Sequence, residues 1–245
     1  MRLFGLIGHP LGHSFSKRYF TEKFAREGIR DCTYELFPME SLSGFRQLWQ
    51  EHPELEGLNV TIPHKENILA YLDRQTDIVR QIGACNCIRR TSEGLTGYNT
   101  DVAGFEKSLS AQLEDSHVAA LILGTGGAAK AVQYVLEKKG IEYRYVSRRP
   151  VDKTTVSYAS LGPDEMRHYT LIINTTPLGM YPHVEQAPGI PYDLLTPGHY
   201  LFDLVYNPSM TRFLELGKEK GATIRNGEEM LVIQAEESWK IWMEN

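Results

Sequence analysis

Apolar positions along the chain switch repeatedly between two spacings. Short β-branched and aliphatic runs at 2–7, 33–37, 58–62, 86–89, 118–123, 143–147, 171–174, 200–204 and 223–225 read as strands. Between them, helical spacing predicts helices near 16–26, 41–51, 64–71, 75–81, 102–113, 127–138, 210–219 and 228–243. Strands that alternate with helices predict an α/β fold. The segment EGLTGYNTD reads as a turn followed by a helix cap, and so as the boundary between two halves. The last helix carries Met230, Leu231, Gln234, Ser238 and Ile241 in one stripe, with Trp239 and Trp242 beside it. A helix this apolar has to dock, either within the second half or back on the first.

Composition narrows the class. The chain has 245 residues, 42% of them hydrophobic and 23% charged, which suits one large or two ordinary globular domains. A net charge of -5 gives no reason to expect nucleic acid or an acidic membrane as partner. No apolar run reaches the roughly 20 residues a spanning helix needs, and Gly5, Gly8 and Pro10 break the first one, so no signal peptide is expected. Cys32, Cys85 and Cys87 are too few for a disulfide framework, which makes a reducing cytoplasm the default. Cys85 and Cys87 alternate along a strand, so they point to opposite faces and are poorly placed to share a metal. His9 and His13 are four apart, but the glycine and proline between them argue against a metal-binding helix face. No metal site is expected.

The stretch NVTIPHK poses a question of charge. Pro63 suits the first position of a helix, which would place Lys65 in the first turn, where the helix dipole disfavours a cation. A lysine held there and partly desolvated should titrate below its ordinary value, which suits a proton-transfer role; a snorkelling surface lysine is the alternative.

VAALILGTGGAAKAV is an apolar run, a glycine turn and an amphipathic helix, the order a dinucleotide loop requires. Gly124 allows the turn, and Gly126 removes a side chain where backbone approaches a pyrophosphate. Gly127 and Ala128 keep the helix close to its strand. An ordinary strand-to-helix turn is the alternative. The next strand ends in Ser147, Arg148 and Arg149, where an acidic residue would favour NAD. Arginine there pairs with a 2′-phosphate, which points to NADP.

Other polar residues are weak singly. Ser14 and Ser16, if extended, face the same way and converge on one carboxylate, although Ser16 also reads as a helix N-cap. Asp101 is placed at a helix start, and Asn86 and Gln234 are amides in apolar surroundings. Together with Lys65 they suit a small polyhydroxy acid.

The motifs HSFS, NVTIPHK, GACN, GYNTD, GTGGAAKA, NTTPLGM, DLVYNP and NGEEMLVIQA, in that order, resemble those of the shikimate dehydrogenases. The match runs from Leu6 to about Trp242, and NVTIPHK with GYNTD is specific to that family and its quinate-using relatives. The resemblance implies an N-terminal α/β substrate domain and a Rossmann-like NADP-binding domain, with the active site in the cleft between them. It implies domain limits of 1–100 plus 228–245, and 101–227, the last helix returning to the first domain. It implies that Lys65 and Asp101 are catalytic, Lys65 as the acid/base. Ser14 and Ser16 would hold the substrate carboxylate, and Thr61, Lys65, Asn86, Asp101, Tyr206 and Gln234 would surround the ring. Asp77, Gly124, Thr125, Gly126, Gly127, Ala128, Ser147, Arg148, Arg149, Leu204 and Gly227 would hold NADP. The implied partner is a small molecule, shikimate or 3-dehydroshikimate, and the implied state a monomer or homodimer. Alternatives are a broader quinate/shikimate enzyme and a non-catalytic NADP-binding regulator. Lys17, Tyr19-Phe20 and Ser147 depart from the usual family residues.

Overall fold

Strand β1 (Arg2–Gly8) is buried on both of its faces, as parallel strands covered on each side are. Leu3 and Ile7 enter one apolar cluster and Phe4 and Leu6 another, the period-2 split of a pleated strand. In the computed structural model, which describes residues 1–12, 14–150 and 155–244, the chain divides into two compact units. The first comprises Met1–Asp101 together with the chain from Gln234 onward; the second is Val102–Ile233.

The first unit continues through α1 (Phe15–Glu27), β2 (Cys32–Pro38), α2 (Phe45–Glu51), β3 (Leu55–Val60), β4 (Arg74–Gln75), α3 (Asp77–Ile82), β5 (Cys87–Thr91) and β6 (Gly94–Tyr98). Its sheet runs β2-β1-β3-β5-β6-β4. β1, β2 and β3 pair in parallel, and β3, β5 and β6 antiparallel. Cys85 and Cys87 lie in different apolar clusters, on opposite sides of the sheet as the alternation requires. Gly57 has no side chain because the Trp242 indole lies against it, and the indole N–H donates to the Ile88 carbonyl at 3.0 Å. Phe4 stacks on Trp242 with centroids 4.9 Å apart.

α4 (Asp101–Ser110) leads into the second unit, which holds β7 (Ala119–Leu123), α5 (Gly127–Lys138), β8 (Glu142–Val146), β9 (Thr155–Val156), α6 (Pro163–His168), β10 (Leu171–Asn174), β11 (Tyr200–Asp203), α7 (Arg212–Glu219) and β12 (Thr223–Arg225). Its strands are all parallel in the order β12-β11-β10-β7-β8-β9. Chain order thus reverses beside β7, the switch point where doubly wound sheets bind ligands. α8 (Glu228–Met243) begins in this unit and, from Gln234, belongs to the first.

Three local expectations need correction. Gly94–Tyr98 is not a turn but a strand, pairing with β5 from Thr91↔Gly94 to Cys87↔Tyr98. Its two glycines hide the strand signal; pairing and the buried Leu95 override them. The helix expected over 64–71 is only a 3-10 turn, Asn67–Tyr71. The helix stretch expected over 41–51 is a 3-10 turn, Leu42–Gly44, leading into α2.

Candidate active site

Lys65 sits in a turn rather than a helix. Pro63 follows a cis peptide bond, the His64 amide donates to the Thr61 carbonyl at 2.9 Å, and the Cys85 amide donates to the Lys65 carbonyl at 2.8 Å. The His64 ring, buried, reaches the Met39 carbonyl at 2.7 Å and pins the turn from the far side. Lys65 is therefore not in the first turn of an α-helix, as Pro63 had led one to expect. What Lys65 has instead is a partner: its Nζ donates to Asp101 Oδ2 at 2.6 Å.

Asp101 opens α4, 5% exposed, and is fixed from the other side by Asn86. The Asn86 Oδ1 accepts from the Thr100 amide at 2.7 Å, which turns its Nδ2 toward Asp101 Oδ1 at 2.8 Å and the Thr100 hydroxyl at 3.0 Å. Buried polar groups need such full pairing. The network extends beyond the expected residues. Thr100 Oγ1 lies 3.2 Å from Ser238 Oγ, Ser238 donates to the Gln234 carbonyl at 2.9 Å, and Asn59 Nδ2 donates to Ser238 at 2.9 Å. Tyr34 donates to Asn59 Oδ1 at 2.8 Å. Burial drives the Tyr34 phenol well above its ordinary pKa, so it stays a neutral donor.

Ser14 and Ser16 are not both in an extended stretch. Ser14 is the N-cap of α1, accepting from the Lys17 amide at 3.3 Å, and Ser16 lies within the first turn. Capping therefore falls to Ser14 rather than Ser16. His13 lies outside the described residues. Thr61 is half-buried at the end of β3, its amide donating to the Ile7 carbonyl at 2.9 Å. Gln234 is buried on α8, one turn before Ser238. Tyr34, Asn59, Thr100 and Ser238 are not among the site residues expected from sequence. Asn59 opens NVTIPHK and Ser238 lies on the stripe of the last helix, but nothing local shows that they meet.

In the second unit, Gly124 has φ +104°, a backbone that favours glycine, and a Cβ there would lie 2.9 Å from Thr175 Oγ1. Thr125 and Gly126 are exposed, and a Cβ at Gly126 would meet nothing within 4 Å. α5 then starts with Gly126 as N-cap and no capping side chain, its first residues being Gly127 and Ala128. This leaves the helix N-terminus to an anion, so the residues fit a dinucleotide pyrophosphate. On the neighbouring strand, Ser147 Oγ accepts from the Arg149 amide at 3.2 Å, and Arg148 and Arg149 are exposed at the end of β8. Leu204 and Tyr206 follow β11, half-buried; Gly227 is buried with no room for a Cβ beside the Leu204 carbonyl. Asp77 lies on α3 of the first unit, exposed and paired with Arg80.

A parallel sheet wound both ways from a glycine turn, in a chain that also pairs a lysine with a buried aspartate in a separate α/β unit, defines a two-unit dinucleotide-fold protein. The family model for the shikimate dehydrogenase substrate binding domain matches residues 6–88. The shikimate dehydrogenase (NADP(+)) of Caldicellulosiruptor saccharolyticus is 36% identical, covering 100% of this chain and 93% of that protein. The shikimate 5-dehydrogenase of Thermus thermophilus, solved with NADP(H) and shikimate, superposes with a TM-score of 0.87 at 30% identity, over 99% of this chain and 94% of that one. The quinate dehydrogenase of Corynebacterium glutamicum, solved with NAD, gives 0.86 at 25% identity, covering 99% and 93%. The chain belongs to the shikimate dehydrogenase family.

Proposed function

We infer that this protein catalyses the reversible reduction of 3-dehydroshikimate to shikimate with NADPH, a step of chorismate and aromatic amino acid biosynthesis. The observation that carries the reading is the 2.6 Å contact between Lys65 Nζ and Asp101 Oδ2, with Asn86 holding the other carboxylate oxygen. Bound NADPH supplies the hydride. The chain's own residues handle the rest. The Lys65 ammonium gives a proton to the ketone oxygen as it becomes an alcohol, and takes it back in reverse. Asp101 holds that ammonium by one N–H and leaves the others for substrate.

Ser14 retains its own O–H for the substrate carboxylate while it accepts from the Lys17 amide, and Ser16 lies two residues on, in the first turn of α1. Thr61, Asn86, Gln234 and Tyr206 are assigned to the ring hydroxyls. The glycine turn, Ser147, Arg148 and Arg149 are assigned to NADP, with Asp77, Leu204 and Gly227. The first unit is thereby the substrate domain and the second the NADP domain. Three buried free cysteines suit a reducing cytoplasm, where the protein works as a monomer or homodimer. Among the described residues no helix is long and apolar enough to cross a membrane, and no cluster suits a metal ion.

Oxidation of quinate is a second reading, favoured by the likeness to the Corynebacterium enzyme. Purified protein assayed with shikimate and quinate against NADP+ and NAD+ separates the two. Reduction of NADP+ with shikimate is the expected result; turnover of quinate alone moves the assignment to the second reading. No turnover with any pairing would leave an NADP-binding protein without this activity.

A further inference from the structure

Asp203 ends β11 with no exposed surface, and no role above uses it. Its Oδ1 accepts from Asn174 Nδ2 at 2.9 Å and from the Val205 amide at 3.0 Å, and its Oδ2 accepts from the Thr211 hydroxyl at 2.5 Å. The donors come from three places: the end of β10, the loop after β11, and the N-cap of α7. Burial pushes its carboxyl up to about 6, against the pull of these three donors, so it is ionised at neutral pH. A carboxylate buried among neutral donors is costly, and its retention asks for a task.

The task lies in what the donors hold. Asn174 Oδ1 accepts from the Thr176 amide at 3.0 Å and the Thr176 hydroxyl at 2.6 Å, which obliges its NH2 to face Asp203. Thr175 donates to the Leu123 carbonyl at 2.7 Å, and Thr175 and Thr176 close on Gly124, 2.9 and 3.0 Å from where its Cβ would stand. On the other side, the Leu204 amide donates to the Asn174 carbonyl at 2.9 Å and the Gly227 amide to the Val205 carbonyl at 3.2 Å. Every strand-end segment assigned to the coenzyme beside β7, β10 and β11 is therefore tied to this one carboxylate.

We propose that Asp203 is a positioning residue for the dinucleotide, acting through Asn174, Val205 and Thr211 to brace the glycine turn and the Leu204–Gly227 contact. This rests on the NADP reading above. The test is NADP+ binding to the full-length protein by fluorescence, with shikimate binding and thermal melting alongside. Asp203→Ala, which orphans three donors, is expected to weaken NADP+ about tenfold or more, raising KM for NADPH while shikimate affinity stays at the parent value. Asp203→Asn keeps an oxygen for Asn174 and Val205 and offers its NH2 to the Thr211 hydroxyl, so it should stay within about threefold of the parent. A folded Asp203→Ala protein that melts earlier yet binds NADP+ as the parent does would overturn the proposal and leave Asp203 purely structural. Should that variant not fold, Thr211→Val against Thr211→Ser replaces it: a loss of about threefold for valine alone supports the proposal, and equal binding overturns it. If the parent itself fails to bind NADP+, the NADP reading falls and this inference with it; unchanged binding in the variants sinks this inference only.

Discussion

Asp101 and Asp203 are both buried, one in each unit, and each is fixed by an asparagine amide at under 3 Å. They differ in the remaining partner. Asp101 has the Lys65 ammonium, a side chain still 16% exposed that carries transferable protons. Asp203 has a hydroxyl and a backbone amide, and faces no solvent. A buried carboxylate paired with a reachable cation can do acid–base chemistry, whereas one ringed by neutral donors can only hold its neighbours in place. The same residue type at a strand or helix end is thus turned to reactivity or to support by what meets it.

Four experiments break or sharpen that contrast. The largest effect is expected at Lys65: Lys65→Ala should lower kcat roughly 100-fold or more with KM changed little, and turnover within a few-fold of the parent would remove the reactive half of the comparison. Next comes the support half. The Asp203 carboxyl is raised from 3.8 to about 6 on folding, so the unfolded chain holds fewer protons over that interval. Its stability contribution is present at low pH and lost as pH rises through about 6, a loss on the order of 2–3 kcal/mol. Urea unfolding of the parent and Asp203→Asn, compared between about pH 4 and 7, reads it. The parent should lose stability relative to the variant with rising pH; parallel curves would mean that Asp203 does not titrate as a lone buried acid.

Smaller effects probe the surroundings of each site. Gly124→Ala puts a Cβ on a φ of +104° and 2.9 Å from Thr175 Oγ1. It should weaken NADP+ about tenfold and spare shikimate binding, as measured by titration of each ligand. Ser238→Ala removes the hydroxyl between Asn59 and Thr100. One hydrogen bond's worth, about 1 kcal/mol, predicts a fall of about fivefold in kcat/KM for substrate, with NADP+ affinity intact. An unchanged value would show that Asn86 keeps Asp101 oriented without this outer layer.

The two units were unequally legible. In the second, LILGTGGAAKA carries strand, turn and helix in consecutive residues, and the helix expected over 127–138 is the helix found. In the first, the pieces of the site lie far apart: Lys65 in a turn, Asn86 before a strand, Asp101 at a helix start, Ser238 in α8. NVTIPHK misled about its own conformation, since the strand ends at Val60 and Pro63 leads into a turn and a 3-10 helix rather than opening an α-helix. GLTGY misled through its glycines, which read as turn until β5 pairs with it.

By itself the sequence determined what is local: the alternation of periods that makes an α/β chain, the glycine turn, the arginines after β8, and motifs close enough to those of relatives to mark a family. Tertiary structure decided which distant side chains meet. Hydrogen bonds such as Lys65 to Asp101, or Asp203 to Thr211, act only within about 3 Å, and the folded backbone alone sets those separations. It likewise decided the conformation of the Lys65 turn and the strand character of Gly94–Tyr98, because pairing and packing outweigh local propensities worth about 1 kcal/mol or less per residue.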